Sequence, residues 1–331
     1  MTTRVHRGTT AWARAAVVAL FTVAAATPSQ AQQSDDTPLP RGREGVALQA
    51  ALDRAGFSPG IIDGRPGRNT RRALQLFQEA RGLPPTGGAD DATRLALGSE
   101  PPLVAYTLTE GDLAGPFVDR IPDDMMEKRT LAALAYTSPA EMLAERFHTT
   151  PRLLAMLNPG MAWTAGTVVQ VPNVPPLDVP DTTETRKVNP EAAEQVADVR
   201  VSKADGTLLV RALDGRVLFA APVTSGSEHD PLPIGKWKVT AVYLRPVFNY
   251  NPELFWDADP SHAKARLPAG PNNPVGLVWI DLDKEHYGLH GTPEPSRIGV
   301  SQSHGCVRLT NWDAVRLASL VKTGTPVLFE P

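Results

Sequence analysis

The spacing of apolar residues divides the chain into regions with different patterns. In residues 41–100, apolar positions recur at the intervals of an amphipathic helix, as in the run 73–77. Asn69 or Thr70 precedes that run as a candidate N-cap. The first region therefore predicts a small domain built from helices.

The middle region, residues 101–175, mixes helical and strand periods. Residues 138–147 predict a helix, Thr149 or Thr150 is placed to cap a second helix, and residues 166–172 predict a strand. This order predicts a small α/β module.

From residue 196 to residue 331 the apolar runs become short and are separated by turn residues, which predicts a mostly β domain. Asp205 and Asp214, each followed by glycine, stand where hairpin turns are expected. Residues 311–321 are the exception, because their apolar spacing predicts a helix. The predicted strands are marked by Val199, Val201, Leu208, Leu209, Val210, Val217, Leu218, Phe219, Trp237, Val239, Ala241, Val242, Val278, Trp279, Ile280, Val327, Leu328 and Phe329.

Residues 1–31 have the pattern of a secretory signal peptide: a basic start, an apolar stretch at 15–26, and a small-x-small site ending at Ala31. An apolar stretch of this length is too short to span a bilayer, which takes about 20 residues. We therefore expect export and no membrane span after cleavage, although retention of this segment as an anchor stays open.

Composition adds two expectations. A net charge of −3 over 331 residues gives no reason to expect a nucleic-acid partner. The polar, proline-containing stretches 32–40 and 176–195 are predicted to be linkers between domains.

The chain has one cysteine, Cys306, in the segment Ser-His-Gly-Cys-Val-Arg at 303–308. A lone cysteine is often buried and inert. Here, however, His304 and Arg308 supply positive charge that would favour the thiolate, and Gly305 allows close approach of a substrate. These neighbours favour a nucleophilic cysteine.

A histidine sixteen residues upstream, His290, is far enough away to return on a neighbouring strand as the general base. Zinc binding by His286, His290, His304 and Cys306 is the alternative chemistry. We disfavour it because four residues along a strand separate His286 from His290 by about 13 Å. We therefore expect no metal and no cofactor.

Together, His290-Gly291-Thr292 and the segment around Cys306 resemble the L,D-transpeptidase catalytic family, and the resemblance covers residues 196–331. Residues 233–237 and 267–277 match further family segments. Residues 62–87 resemble the three-helix peptidoglycan-binding module. Residues 101–175 resemble a LysM carbohydrate-binding domain with an insertion and a degenerate start, and this module either binds sugar or acts as a spacer.

The implied fold is a multidomain α+β protein: a three-helix domain at 41–100, a LysM-like α/β module at 101–175 and a mostly β catalytic domain at 196–331. The implied chemistry is attack of Cys306 on a peptidoglycan stem peptide, with His290 as base and a thioester intermediate. The resemblance gives the Gly291 carbonyl the task of orienting His290, and the region of Gly305 that of an oxyanion hole.

The remaining site predictions concern substrate contacts. His304 is expected to shape or charge the site. Arg308 is expected to bind a substrate carboxylate, with a structural ion pair as its alternative. Residues 243–276 carry Tyr250 and Trp256 among several aromatics and predict a lid over the cleft, with these two residues binding substrate.

The expected function is periplasmic L,D-transpeptidation of stem peptides, with peptidoglycan peptides and glycan as partners. The acceptor amine is left open by the sequence, and an outer-membrane lipoprotein is one candidate. An L,D-carboxypeptidase or hydrolase of the same bonds is the first alternative. A noncatalytic peptidoglycan-binding protein is the second.

Overall fold

The computed structural model describes residues 1–3, 38–179 and 193–331. Nearly all of the predicted signal peptide and most of both predicted linkers lie outside these residues. Among the residues described, no helix is long and apolar enough to cross a membrane.

The N-terminal region is helical, with α1 (Arg43–Arg54), α2 (Arg68–Ala80) and α3 (Asp91–Leu97). Its apolar side chains pack around Phe77, which is fully buried. The N-cap prediction for α2 is wrong, because the Gly67 carbonyl accepts the first helical hydrogen bond from the Arg71 N–H at 3.0 Å. Glycine in extended backbone therefore begins this helix without a side-chain cap.

The middle region has a two-stranded antiparallel sheet, β1 (Leu103–Thr107) with β2 (Val168–Pro172). Between the strands lie α4 (Glu110–Ala114), α5 (Met125–Lys128), α6 (Pro139–Arg146) and α7 (Pro151–Leu157). The side chains of Ser138 and Thr150 cap α6 and α7. We refer to residues 115–137, between α4 and α6, as the inserted segment.

The C-terminal region is built on a nine-stranded mixed sheet in the order β5-β4-β3-β13-β7-β10-β11-β12-β6. A helix, α8 (Asn311–Leu320), packs against it and contributes Leu317 and Ala318 to the core. The strands are β3 (Val196–Ser202), β4 (Thr207–Ala212), β5 (Val217–Pro222), β6 (Thr224–Ser225), β7 (Gly235–Leu244), β8 (Phe248–Tyr250), β9 (Ala265–Leu267), β10 (Val278–Leu282), β11 (Gly288–His290), β12 (Val307–Arg308) and β13 (Pro326–Glu330). Strands β8 and β9 pair only with each other, as a ribbon inside residues 243–276.

These regions are packed against one another. The main chain of residues 56–58 pairs with the edge strand β5: the Ser58 N–H donates to the Ala220 carbonyl, and the Ala220 N–H donates to the Gly56 carbonyl, both at 2.8 Å. Ala220 belongs to the same apolar cluster as Phe77. The helical domain thus covers the edge of the sheet at β5 and is packed against the C-terminal region.

A buried polar junction joins all three regions. His148, after α6, contacts the Asp53 carboxylate of α1 through Nδ1 at 3.0 Å, and its ring stacks on Trp312 of α8 with centroids 5.2 Å apart. The Ser58 hydroxyl donates to the Asp313 carboxylate at 3.0 Å. Buried polar contacts of this kind help to fix the orientation of the elements that carry them.

Candidate active site

Two short parallel strands bring the predicted catalytic residues together. In the β11–β12 pair, Leu289 is opposite Val307 and His290 is opposite Arg308. Leu289 and Val307 are fully buried in the sheet core. Because side chains alternate along a strand, His290 and Arg308 share the other face, and Cys306, two residues before Arg308, lies on that side as well.

His290 is held in one orientation. Its Nδ1 lies 2.7 Å from the Gly291 carbonyl oxygen, which can only accept, so Nδ1 carries the proton. The ring stacks on Trp279, with centroids 5.4 Å apart and an angle of 21°. The Nε2 lone pair is therefore left for chemistry. This contact places the Gly291 carbonyl where the family resemblance expects it.

The predicted base and the predicted nucleophile both have pKa values that favour the neutral form. Burial, and secondly the charge of Arg308, lowers the pKa of His290 to about 3. Burial raises the pKa of Cys306 to about 11, against the opposing effects of a backbone contact at Gly288 and of Arg308. The charge of Arg308 thus favours the thiolate, as expected from the sequence, but desolvation of the buried thiol has the larger effect on its pKa.

The loop before Cys306 is fixed by two residues. Gly305 has φ +92°, and a Cβ there would lie 2.6 Å from the Tyr287 ring, so only glycine fits. The buried Ser303 hydroxyl donates to the Cys306 carbonyl and accepts from the Gly226 N–H, both at 2.6 Å. Sequence reasoning gave no role to Ser303, although it lies in the segment 303–308, or to Tyr287, three residues before His290.

His304 contacts two side chains of the predicted lid, residues 243–276. Its Nε2 lies 2.8 Å from the Asp257 carboxylate, and its ring meets the Phe255 ring edge-on at 5.0 Å. Asp257 was not predicted, because nothing in its local sequence indicates a partner 47 residues away. His304 thus connects the loop that carries Cys306 to the lid.

Arg308 is partly buried, and burial lowers its pKa. Its Nη1 donates to the Gln302 carbonyl at 3.4 Å. Within the described ranges no carboxylate lies at ion-pair distance from the guanidinium. The alternative that Arg308 forms a structural ion pair therefore has no support among these residues.

The two lid aromatics differ in exposure. Tyr250 is 4% exposed, and its hydroxyl contacts His262 Nδ1 at 3.0 Å. Such a buried side chain offers almost no surface to a ligand, so we assign Tyr250 to packing of the lid and correct its predicted substrate contact. Trp256 is 61% exposed and stacks on His229 with centroids 4.3 Å apart, so it remains available at the surface.

The zinc alternative gains no support. His286 lies in the turn before β11 with φ +67°, and its exposed side chain contacts Glu285 rather than His290. In the part of the chain that the structure describes, no group of three or more His, Cys, Asp or Glu side chains could hold a metal ion.

Comparison with known proteins identifies these regions. The family model of the L,D-transpeptidase catalytic domain matches residues 197–328, and a model described as a peptidoglycan binding domain matches residues 41–97. The protein named L,D-transpeptidase YkuD of Bacillus licheniformis is 30% identical over 191 residues, which are 58% of this chain and 93% of the relative. The protein of the same name in Bacillus subtilis is 49% identical to this chain over 57 residues, which are 17% of this chain and 35% of that protein.

Among solved structures, L,D-transpeptidase 3 from Mycobacterium tuberculosis with a faropenem-derived adduct is 19% identical, with a TM-score of 0.35, over 51% of this chain and 76% of that one. A likeness at that score adds nothing to the sequence matches. Because the Bacillus licheniformis relative is covered over nearly its whole length, the chain belongs to the L,D-transpeptidase family. It is an enzyme that modifies peptidoglycan by transpeptidation.

Proposed function

We propose that this chain is a periplasmic cysteine acyltransferase in which Cys306 is the nucleophile and His290 the general base. One observation carries the proposal: His290 lies opposite Arg308, two residues after Cys306, with Nδ1 committed to the Gly291 carbonyl and Nε2 left to accept a proton. The predicted export segment supports the location.

In the first half of the reaction, the Cys306 sulfur attacks the carbonyl of the amide that follows the diamino acid of a stem peptide. The thiol proton passes to His290 Nε2 and then to the leaving amine, and a thioester remains. Backbone N–H groups near Gly305 stabilise the oxyanion, a contribution of about 3 kcal/mol per donor. In the second half an acceptor amine attacks the thioester and releases the thiol.

Substrate binding activates the base. Arg308 is one of the two causes that lower the pKa of His290, and the guanidinium is shaped to hold a carboxylate by two parallel hydrogen bonds. A substrate carboxylate bound there would cancel the charge that His290 experiences. The imidazole would then become a stronger base only when substrate is present, which protects the thiol between turnovers.

The N-terminal regions are proposed to hold the polymer. Residues 41–100 would bind the wall, residues 101–175 would form a LysM-like module that contacts glycan or serves as a spacer, and residues 196–331 would carry out catalysis. The matches to peptidoglycan-related domains support the first and last of these assignments.

The acceptor decides between the related activities. A second stem peptide gives a cross-link, an outer-membrane lipoprotein gives a tether, and water gives an L,D-carboxypeptidase or hydrolase. The test is mass spectrometry of defined muropeptides incubated with the enzyme, with and without an added acceptor stem. We expect a cross-linked product that requires the acceptor and is absent with Cys306→Ala.

Three results would change the proposal. Product formed by Cys306→Ala would exclude the cysteine mechanism. A shortened stem as the sole product, whether or not acceptor is added, would make the enzyme a carboxypeptidase. Binding to peptidoglycan without any product would favour the noncatalytic alternative.

A further inference from the structure

A line of polar contacts runs from the LysM-like module into the active site. Glu145, on α6, accepts two hydrogen bonds with its carboxylate. The Tyr136 hydroxyl donates to Oε2 at 2.6 Å, and Asn311 Nδ2 donates to Oε1 at 2.8 Å. The second contact crosses from the module to the catalytic domain, because Asn311 is the first residue of α8.

Asn311 is fully buried and uses both ends of its amide. Its Nδ2 donates to Glu145 and to the Pro271 carbonyl at 3.2 Å, and its Oδ1 accepts from the Leu277 N–H at 2.9 Å. If the amide were rotated by 180°, its NH₂ group would face the Leu277 N–H, which is also a donor. These partners therefore fix which end of the amide faces the active site.

The Oδ1 end of the Asn311 amide faces the active site and contacts Gly291, whose carbonyl orients His290. A Cβ added to Gly291 would lie 2.2 Å from Asn311 Oδ1, so the amide packs directly on the Gly291 backbone. The Gly291 carbonyl in turn accepts from His290 Nδ1 at 2.7 Å. Three successive contacts thus connect Glu145 with the imidazole.

We propose that Glu145 is a positioning residue for His290, which it controls through Asn311 and Gly291. The LysM-like module that carries Glu145 then belongs to the catalytic apparatus, in addition to any role in binding the wall. This inference rests on the proposed function in one respect, the assignment of His290 as the base.

The same helix provides a matched control. Glu141, one turn before Glu145, also bonds across to the catalytic domain, where Asn272 Nδ2 donates to its Oε1 at 2.8 Å. The other partner of that amide is the Ala135 carbonyl, and none of the three nearest contacts of Gly291 involves Asn272. Glu141→Gln thus disturbs the same interface while leaving the hydrogen bonds of Glu145 and Asn311 in place.

The experiment compares Glu145→Gln with Glu141→Gln in the full chain. Glutamine has the shape of glutamate but offers one oxygen, so either Tyr136 or Asn311 loses its acceptor. In protein labelled with ¹⁵N-histidine, the ring nitrogen shifts of His290 report which nitrogen holds the proton. We expect them to move toward a mixture of tautomers in Glu145→Gln and to stay at wild-type values in Glu141→Gln.

Steady-state kinetics on a stem peptide provide the second readout. We expect kcat to fall about tenfold in Glu145→Gln with KM unchanged, within the loss of up to ~10²-fold that a small misplacement of a reacting group causes. Glu141→Gln should retain the wild-type kcat. Melting temperatures of both variants show whether each is folded.

Either of two outcomes would overturn the inference. Wild-type His290 shifts and kcat in Glu145→Gln would reduce the contact to a structural one, and an equal loss in Glu141→Gln would make the whole interface responsible. The nuclear magnetic resonance result stands even if the wild-type protein forms no product. Failure of the proposed function is therefore distinguishable from failure of this inference.

Discussion

The nucleophile region and the lid are built in different ways. His290 ends β11, and Cys306 lies in the loop directly before the parallel strand β12, within a segment whose spacing predicts their chemistry. The predicted lid is held from far away: His262 Nε2 contacts the Asp124 carboxylate of the inserted segment at 2.9 Å, across 138 positions, and the Leu134 N–H donates to the Ala269 carbonyl at 3.0 Å. The predicted catalytic residues are thus encoded locally, whereas the position of the predicted lid depends on the tertiary fold.

The largest effect is expected at the nucleophile. Cys306→Ala should abolish turnover, because no other thiol exists in the chain to form the thioester. The side chain is small and sits on a loop, so the melting temperature should stay near the wild-type value. Intact-mass analysis after incubation with a carbapenem should show one adduct on the wild-type protein and none on the variant.

An adduct on Cys306→Ala, or none on the wild-type protein, would contradict a reactive thiol at this position. The neutral resting pair also predicts that a simple alkylating reagent modifies Cys306 slowly at pH 7 unless a ligand occupies the site, since burial raises the pKa of the thiol.

Loss of the base is expected to be the next most severe change. His290→Ala should lower kcat by ~10²- to 10⁴-fold, the usual contribution of general base catalysis. His304→Ala is the matched comparison within the same site, and it should cost less because His304 bonds Asp257 of the lid. An inactive His304→Ala beside an active His290→Ala would reverse the two assignments.

A smaller effect is expected at the contact between the inserted segment and the lid. Asp124→Asn removes the carboxylate that contacts His262 Nε2, and the other ring nitrogen of His262 contacts Tyr250. We expect kcat/KM to fall about two- to fivefold, as suits a partly exposed pair. The control is Asp123→Asn, one residue away, whose kinetics should match the wild type. If both variants behave like the wild type, the inserted segment does not hold the lid.

The difference between the two regions also explains what the sequence could predict. The strands, α8 and the roles proposed for Cys306 and His290 depend on short-range patterns that can be read from the chain. The partnership of Asp257 with His304, the line from Glu145 and the burial of Tyr250 join segments far apart in sequence. Nothing in the local sequence marks such partners, because a carboxylate in a loop looks the same whether or not a distant residue binds it.

The last expected effect concerns stability rather than activity, at the junction of the three regions. Burial, and secondly the charge of Asp53, raises the pKa of Asp313 from 3.8 to about 7. Between about pH 4 and pH 7 the folded protein therefore keeps a proton that the unfolded chain releases. This contribution to the free energy of unfolding is complete below about pH 4 and is lost as the pH rises through 7.

Asp313→Asn removes that pH dependence, because its side chain stays neutral while its oxygen can still accept from Ser58. Between pH 4 and pH 8, the free energy of unfolding of the variant should rise by roughly 1 kcal/mol or more relative to that of the wild type, since one pKa unit corresponds to about 1.36 kcal/mol. Glu145 acts in the same direction as Asp313 and His290 in the opposite direction, because burial raises the pKa of the first to about 7 and lowers that of the second to about 3. The wild type and the variant share these contributions. They therefore cancel in the difference between the two free energies of unfolding, measured with urea at each pH. A constant difference between variant and wild type would mean that Asp313 stays ionised in the junction.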